Sequence, residues 1–121
     1  MFKLILIIVL FTHYFSNTLL AHAILEYSEP ARRSVLYRPP DQIVLTFNEA
    51  IETTFAKIKL LNEKNKTIIT KEKPKNKNNK KSIFIPLLNL QKGIYFVEYD
   101  VISVDGHRVR GRYKFTIKDS N

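Results

Sequence analysis

The sequence has 121 residues, no cysteine and a formal net charge of +9 at pH 7, a length that predicts one domain. The absence of cysteine excludes a disulfide framework, a thiolate zinc site, an iron–sulfur cluster and a cysteine-ligated blue-copper centre. Any metal that this chain binds must therefore be held by nitrogen and oxygen atoms.

The first segment has the pattern of an export signal. Lys3 supplies a positive start, and residues 4–11 form an unbroken apolar run that is too short to span a membrane. Residues 12–21 are more polar, and no acidic residue occurs before Glu26. We therefore expect residues 1–21 to be a cleaved signal peptide, residues 22–121 to be the mature domain, and the protein to be periplasmic.

The cleavage position decides which residue becomes the mature N-terminus. A cut after Ala21 makes His22 the first residue, whereas a cut after Ala23 satisfies the small-x-small rule better and discards His22. The rule alone leaves both positions open. With the first cut, the mature charge is +8, because only Lys3 among the charged residues is lost.

The excess of positive charge bears on partners and solubility rather than on the fold. Nucleic acid is not an expected partner, because an exported chain rarely meets it. An anionic membrane surface is the more reasonable one. Much of the charge lies in residues 71–81 (KEKPKNKNNKK), whose composition predicts a solvated loop.

The mature region alternates apolar and polar residues with a period of two, which is typical of half-buried antiparallel strands. No segment has a convincing helical pattern, and residues 50–54 are expected to form a turn or a single helical turn. About seven short strands separated by turn signals predict an all-β fold, either a β-sandwich or a Greek-key barrel. The predicted strands lie near residues 24–28, 42–48, 56–60, 67–70, 83–87, 95–101 and 109–117.

Two histidines remain after removal of the signal, and the first is His22. As a mature N-terminus, it offers an amine and an imidazole that can bind one metal ion as a chelate. An α-amino group has a pKa of about 8, so a metal displaces its proton near neutral pH. Nitrogen donors combined with a carboxylate suit tetragonal Cu(II). The alternative is that His22 is simply a residue near a cleavage site.

The second histidine follows a predicted turn between the last two strands, in the triplet Asp105-Gly106-His107. Residues two apart on an extended chain share a face, so the turn can direct the Asp105 carboxylate and the His107 imidazole to the same side. The alternative is an ordinary Asp-Gly hairpin. Glu49, at the end of a predicted strand, is either a surface acid or an axial or outer group that holds a ligating imidazole.

Taken together in order, these motifs resemble the copper resistance protein C (CopC) family of periplasmic copper-binding proteins. The resemblance covers essentially the whole mature chain. It rests on His22-Ala23, residues 28–31 (SEPA), 44–49 (VLTFNE), 93–95 (GIY) and 103–107 (SVDGH), of which the last is the most specific.

The resemblance implies a seven-stranded, cupredoxin-like Greek-key barrel related to the Ig-like folds. It also implies one Cu(II) per chain, bound by His22, Asp105 and His107, with Glu49 nearby. This ligand set favours cleavage after Ala21. Some family members carry a methionine-rich Cu(I) site, but the sole methionine here is Met1, so we expect a Cu(II)-only member.

The functional hypothesis is a monomeric, non-enzymatic copper carrier or buffer that takes part in copper homeostasis and resistance. The resemblance implies a CopD-type inner-membrane copper transport protein as a partner. One alternative is a small copper monooxygenase with an N-terminal histidine brace, although Asp105 would occupy a position that oxygen chemistry needs. The other is a metal-free Ig-like binding module, which leaves His22 and the Asp105-Gly106-His107 triplet unexplained.

Overall fold

The structure is a computed structural model that describes residues 23–68 and 73–120. Those residues form nine strands and one short 3-10 helix, at Thr53–Phe55, where a turn was predicted. The strands are β1 (Leu25–Glu29), β2 (Val35–Leu36), β3 (Gln42–Phe47), β4 (Lys57–Asn62), β5 (Thr67–Ile68), β6 (Lys75–Lys77), β7 (Asn79–Pro86), β8 (Gly93–Ile102) and β9 (Arg108–Ile117).

The strands form two sheets, with orders β1-β3-β7-β6 and β2-β9-β8-β4-β5. All neighbours are antiparallel except β2 and β9, which run parallel. The predicted all-β barrel or sandwich is confirmed. In the described part of the chain, no helix is long and apolar enough to cross a membrane.

The core lies between the two sheets and is built from the alternate, inward-facing residues of each strand. On β3, Ile43, Leu45 and Phe47 are fully buried. The Phe47 ring meets the edge of Tyr99 from β8, with centroids 5.8 Å apart. Contacts of this kind join the two sheets at the end of β3, directly before the loop at residues 48–52.

The structure adds two short strands, β2 and β6, to the seven expected. The prediction of a solvated loop at residues 71–81 was wrong for residues 75–77 and 79–81, which belong to the β6–β7 hairpin. Asn78 takes a left-handed φ of 61° at its tip, and the Asn79 side chain accepts the backbone N–H groups of Lys81 and Ser82. Strand pairing of the backbone leaves the lysine side chains in water, so composition did not reveal it.

Candidate metal centre

The turn between β8 and β9 is closed by backbone hydrogen bonds. The N–H of Ser103 donates to the carbonyl of His107 at 2.8 Å, and the N–H of Gly106 donates to the carbonyl of Ser103 at 2.9 Å. Gly106 has a φ of +92°, a conformation that residues with a Cβ rarely adopt. The turn therefore depends on glycine between the two candidate ligands, Asp105 and His107.

A buried hydroxyl organises this turn from within. Ser103 is 1% exposed; its Oγ donates to the Asp105 carboxylate and accepts the backbone N–H of His107 at 3.1 Å. The Ser103 hydroxyl also lowers the pKa of Asp105, and the charge of His107 lowers it further. Asp105 is therefore ionised at neutral pH, as a carboxylate ligand must be.

The turn directs its two candidate ligands to the same point. Nδ1 of His107 lies 3.1 Å from Oδ2 of Asp105, and the two side chains are 42% and 51% exposed. The carboxylate and the imidazole are therefore adjacent, and both side chains are partly exposed to solvent.

A second chain segment, the loop that follows β3, brings Glu49 to the same place. The N–H of Val104 donates to the carbonyl of Ala50 at 2.9 Å, and Ile51 forms a β-bridge with Ser103. Donor atoms of Glu49, Asp105 and His107 consequently lie within 4.8 Å of one another.

The donor set fits a cation. Oε2 of Glu49 is buried and accepts no hydrogen bond from the described residues, and one oxygen of the same carboxylate lies within 4.8 Å of the second carboxylate, Asp105. Like charges at this separation repel, and a buried acceptor without a donor is costly. A metal ion held by both carboxylates and the His107 imidazole would remove both penalties.

The beginning of the described chain is held next to this cluster. Asn48, which precedes Glu49, accepts the N–H of Ile24 on its Oδ1 at 2.7 Å and donates its own N–H to the carbonyl of Ile24 at 3.1 Å. Ala23 is 5% exposed. His22 lies outside the described residues.

Sequence reasoning had not assigned roles to two residues that position the cluster, Ser103 and Asn48. Val97, Tyr99 and Val101 are alternate, inward-facing residues of β8. Ser103 occupies the next inward position and places a hydroxyl there. A small polar residue at an inward position was the available signal. Asn48 carried no comparable signal, because its partner Ile24 is distant in the sequence.

Comparison with known proteins identifies the family. A family model described as the CopC domain matches residues 25–118. The chain belongs to the CopC domain family. The resemblance seen in the sequence motifs is thereby confirmed, and the matched range includes Glu49, Asp105 and His107 but not His22.

Two relatives match over most of the chain. Protein YobA of Escherichia coli (strain K12) is 35% identical over 111 residues, covering 91% of this chain and 90% of YobA. The copper transport protein CutJ of Bacillus subtilis is 34% identical over 93% of this chain, which spans only 21% of CutJ. This domain therefore also resembles part of a much larger protein.

Solved structures match the fold. CopC from Methylosinus trichosporium OB3b superposes with a TM-score of 0.76 at 27% identity, covering 83% of this chain and 97% of that one. PcoC, a methionine-rich copper resistance protein from Escherichia coli, superposes with a TM-score of 0.69 at 30% identity, covering 81% and 100%. The chain is thus a copper-related CopC-family protein with the CopC fold.

Proposed function

We propose that this protein holds one Cu(II) ion in the periplasm and acts as a copper carrier or buffer. The observation that carries the proposal is the convergence of Glu49, Asp105 and His107 within 4.8 Å in a chain of the CopC family. Imidazole nitrogen and carboxylate oxygen are donors that Cu(II) accepts, and no thiolate or thioether is needed.

The proposed equatorial ligands are the amine and imidazole of His22, the Asp105 carboxylate and the His107 imidazole. Glu49 is proposed as an axial or outer group. Support for His22 comes from the two hydrogen bonds that hold Ile24 to Asn48 beside Glu49. An N-terminal histidine two residues before Ile24 has enough reach to join the cluster.

We propose cleavage after Ala21, which creates this N-terminus. A cut after Ala23 would remove the Ala23 side chain from a buried position and would also remove His22. The burial of Ala23 therefore supports the earlier cut. Export of the signal-bearing chain would place the domain in the periplasm.

A carrier role suits the accessibility of the cluster. A shallow groove of about 390 Å³ beside it is lined by Asn48, Glu49, Ala50, Lys81, Val104 and Asp105. The half-exposed ligands Asp105 and His107 allow copper to be taken up from solvent and passed to an acceptor. We propose a CopD-type inner-membrane protein as that acceptor.

The decisive experiment is the intact mass of the exported protein, with and without one equivalent of Cu(II). We expect a mass that begins at His22 and gains one copper, followed by tight binding in competition with a calibrated copper chelator. A mass that begins at Ile24, or no retained copper, would contradict the proposed site. Oxygen consumption with copper and a reductant would contradict the carrier role and favour the monooxygenase alternative.

A further inference from the structure

The outer surface of the five-stranded sheet is strongly basic. Alternation along β4, β8 and β9 turns six basic side chains and two acidic ones to this side, a surplus of four positive charges. We call this surface the basic face. Its charged residues are Lys57, Lys59, Glu98, Asp100, Arg108, Arg110, Arg112 and Lys114.

Strand register explains how the charges are arranged. The acidic residues lie on the central strand β8, between cations of β4 on one side and β9 on the other. Asp100 accepts two hydrogen bonds from Arg108, at 2.8 and 2.7 Å, and Glu98 accepts one from Arg112 at 3.0 Å. Both carboxylates are thus already paired with arginines of β9.

The remaining cations of this face have no acidic partner within the described part of the chain. Lys57, Lys59 and Lys114 form no ion pair with any residue in the two described ranges. Each ends in a solvated ammonium group at an exposed position. The uncompensated charge is therefore spread from one side of the sheet to the other and is not concentrated in one place.

The shape of the face favours a broad anionic surface over a small anion. The groove across it, of about 500 Å³, is open, and carboxylates line it together with the cations. The Arg112 guanidinium lies over the Phe96 ring, 4.3 Å from its centroid, and donates to Glu98 and Asn65, so it is already engaged within the protein. A layer of anionic headgroups needs no such convergence, since each basic residue contributes separately.

We propose that the basic face docks on the surface of an anionic phospholipid bilayer. Arg108 of this face directly follows His107, so docking would bring the β8–β9 turn close to the membrane. The attraction is electrostatic and does not require copper. It is therefore independent of the proposed copper site and can be measured on the metal-free protein.

The test is sedimentation of the exported, metal-free protein with vesicles at 0.15 M salt. Vesicles of phosphatidylglycerol and phosphatidylcholine are compared with vesicles of phosphatidylcholine alone. The variant Lys57→Glu/Lys59→Glu changes the basic face, and Lys77→Glu/Lys80→Glu makes the same charge change in the β6–β7 hairpin. At this ionic strength the Debye length is about 8 Å, so only charges near the lipid count.

We expect binding to the anionic vesicles only. Loss of about 1 kcal/mol per basic residue predicts that Lys57→Glu/Lys59→Glu weakens partitioning by about thirtyfold or more, and that the hairpin variant changes it by less than about threefold. Equal losses in both variants would overturn the proposal, because net charge would then explain binding. Absence of wild-type binding would overturn it too and would favour an acidic protein partner.

A neutralised variant guards against misfolding of the charge-reversed one. Lys57→Gln/Lys59→Gln places no new negative charge beside Asp100 or Glu98, and we expect it to weaken partitioning by about thirtyfold, since two basic residues are lost. Far-ultraviolet circular dichroism and thermal unfolding check that each variant is folded. Unchanged partitioning of a folded glutamine variant would overturn the proposal.

Discussion

The β8–β9 turn and the β6–β7 hairpin make an instructive comparison. Both are polar connections between antiparallel strands, one on each sheet. In the β6–β7 hairpin, Asn79 accepts N–H groups two and three residues away, and Asn76 donates to Lys80. In the β8–β9 turn, Val104 bonds to Ala50, far away in sequence. The β8–β9 turn becomes a candidate metal centre because the segment fixed beside it adds a further donor, the Glu49 carboxylate, to its own two.

The loop at residues 48–52 is that second segment, and it lies between both turns. It reaches β7 as well, through the N–H of Ile51 and the carbonyl of Lys80 at 2.8 Å. On that side its partner is the backbone of Lys80, whereas on the other side it brings Glu49 to Asp105 and His107. The same loop therefore meets candidate metal ligands at one turn and a backbone carbonyl at the other.

Removal of the His107 imidazole is expected to have the largest effect on the candidate metal centre. We expect His107→Ala to weaken Cu(II) binding by orders of magnitude, because an equatorial nitrogen is lost, while the apo fold survives since the side chain is 42% exposed. Competition titration measures the affinity, and Lys80→Ala in the other hairpin is the matched control. Unchanged affinity in His107→Ala would show that the proposed site is wrong.

Two buried serines allow a sharper comparison. Ser103→Ala should weaken Cu(II) binding by about tenfold or more, as expected for a group that orients ligands, and lower stability by about 1–3 kcal/mol. Ser82→Ala removes a buried hydroxyl that contacts Thr46 at 2.8 Å. It should cost about 1 kcal/mol without changing copper affinity. Equal affinities in the two variants would refute the positioning role of Ser103.

Glu49→Gln should have a smaller effect, of less than about tenfold on Cu(II) affinity, because the amide keeps the shape and loses only the charge of an axial or outer group. Glu52→Gln is the control: Glu52 lies in the same loop, but its Oε1 accepts from Thr54 Oγ1 at 3.2 Å. A Glu49→Gln loss as large as that of His107→Ala would make Glu49 a principal ligand.

The smallest effect concerns the stem of the β8–β9 hairpin. Hydrogen bonds from Arg108, and the charges of Arg108 and Arg110, lower the pKa of Asp100 to about 2 from an ordinary value of 3.8. Because the folded pKa is the lower one, the pair stabilises the protein above about pH 4 and loses this contribution as the pH falls towards 2. The pair is exposed, so we expect less than about 1 kcal/mol.

Carboxyl-detected NMR titration measures this pKa directly. Arg108→Gln should raise it more than Arg110→Gln, because Arg108 makes two short hydrogen bonds to Asp100 and Arg110 makes one of 3.2 Å. A pKa for Asp100 near 3.8 in the unmodified protein would contradict the ion pair.

Much of the fold was predictable from local patterns. Alternation along β3, β8 and β9 is visible because one face of each strand is buried, and this alternation specifies strand type and inward face. The strands β2 and β6 were missed because two or three residues cannot display a period. The charged residues 75–77 pair through their backbone, which leaves no mark on composition.

Residue types and their order were enough to exclude thiolate ligands, to predict the all-β class and the family motifs, and to select His22, Glu49, Asp105 and His107 as candidates. The packing of the strands was needed to show that Glu49 lies close to Asp105 and His107, that Ser103 hydrogen-bonds within the turn, and that Asn48 holds Ile24 beside them. These contacts join segments that are distant in sequence through backbone and buried polar hydrogen bonds. Such bonds depend on how the strands pack, and no local pattern of side chains encodes them.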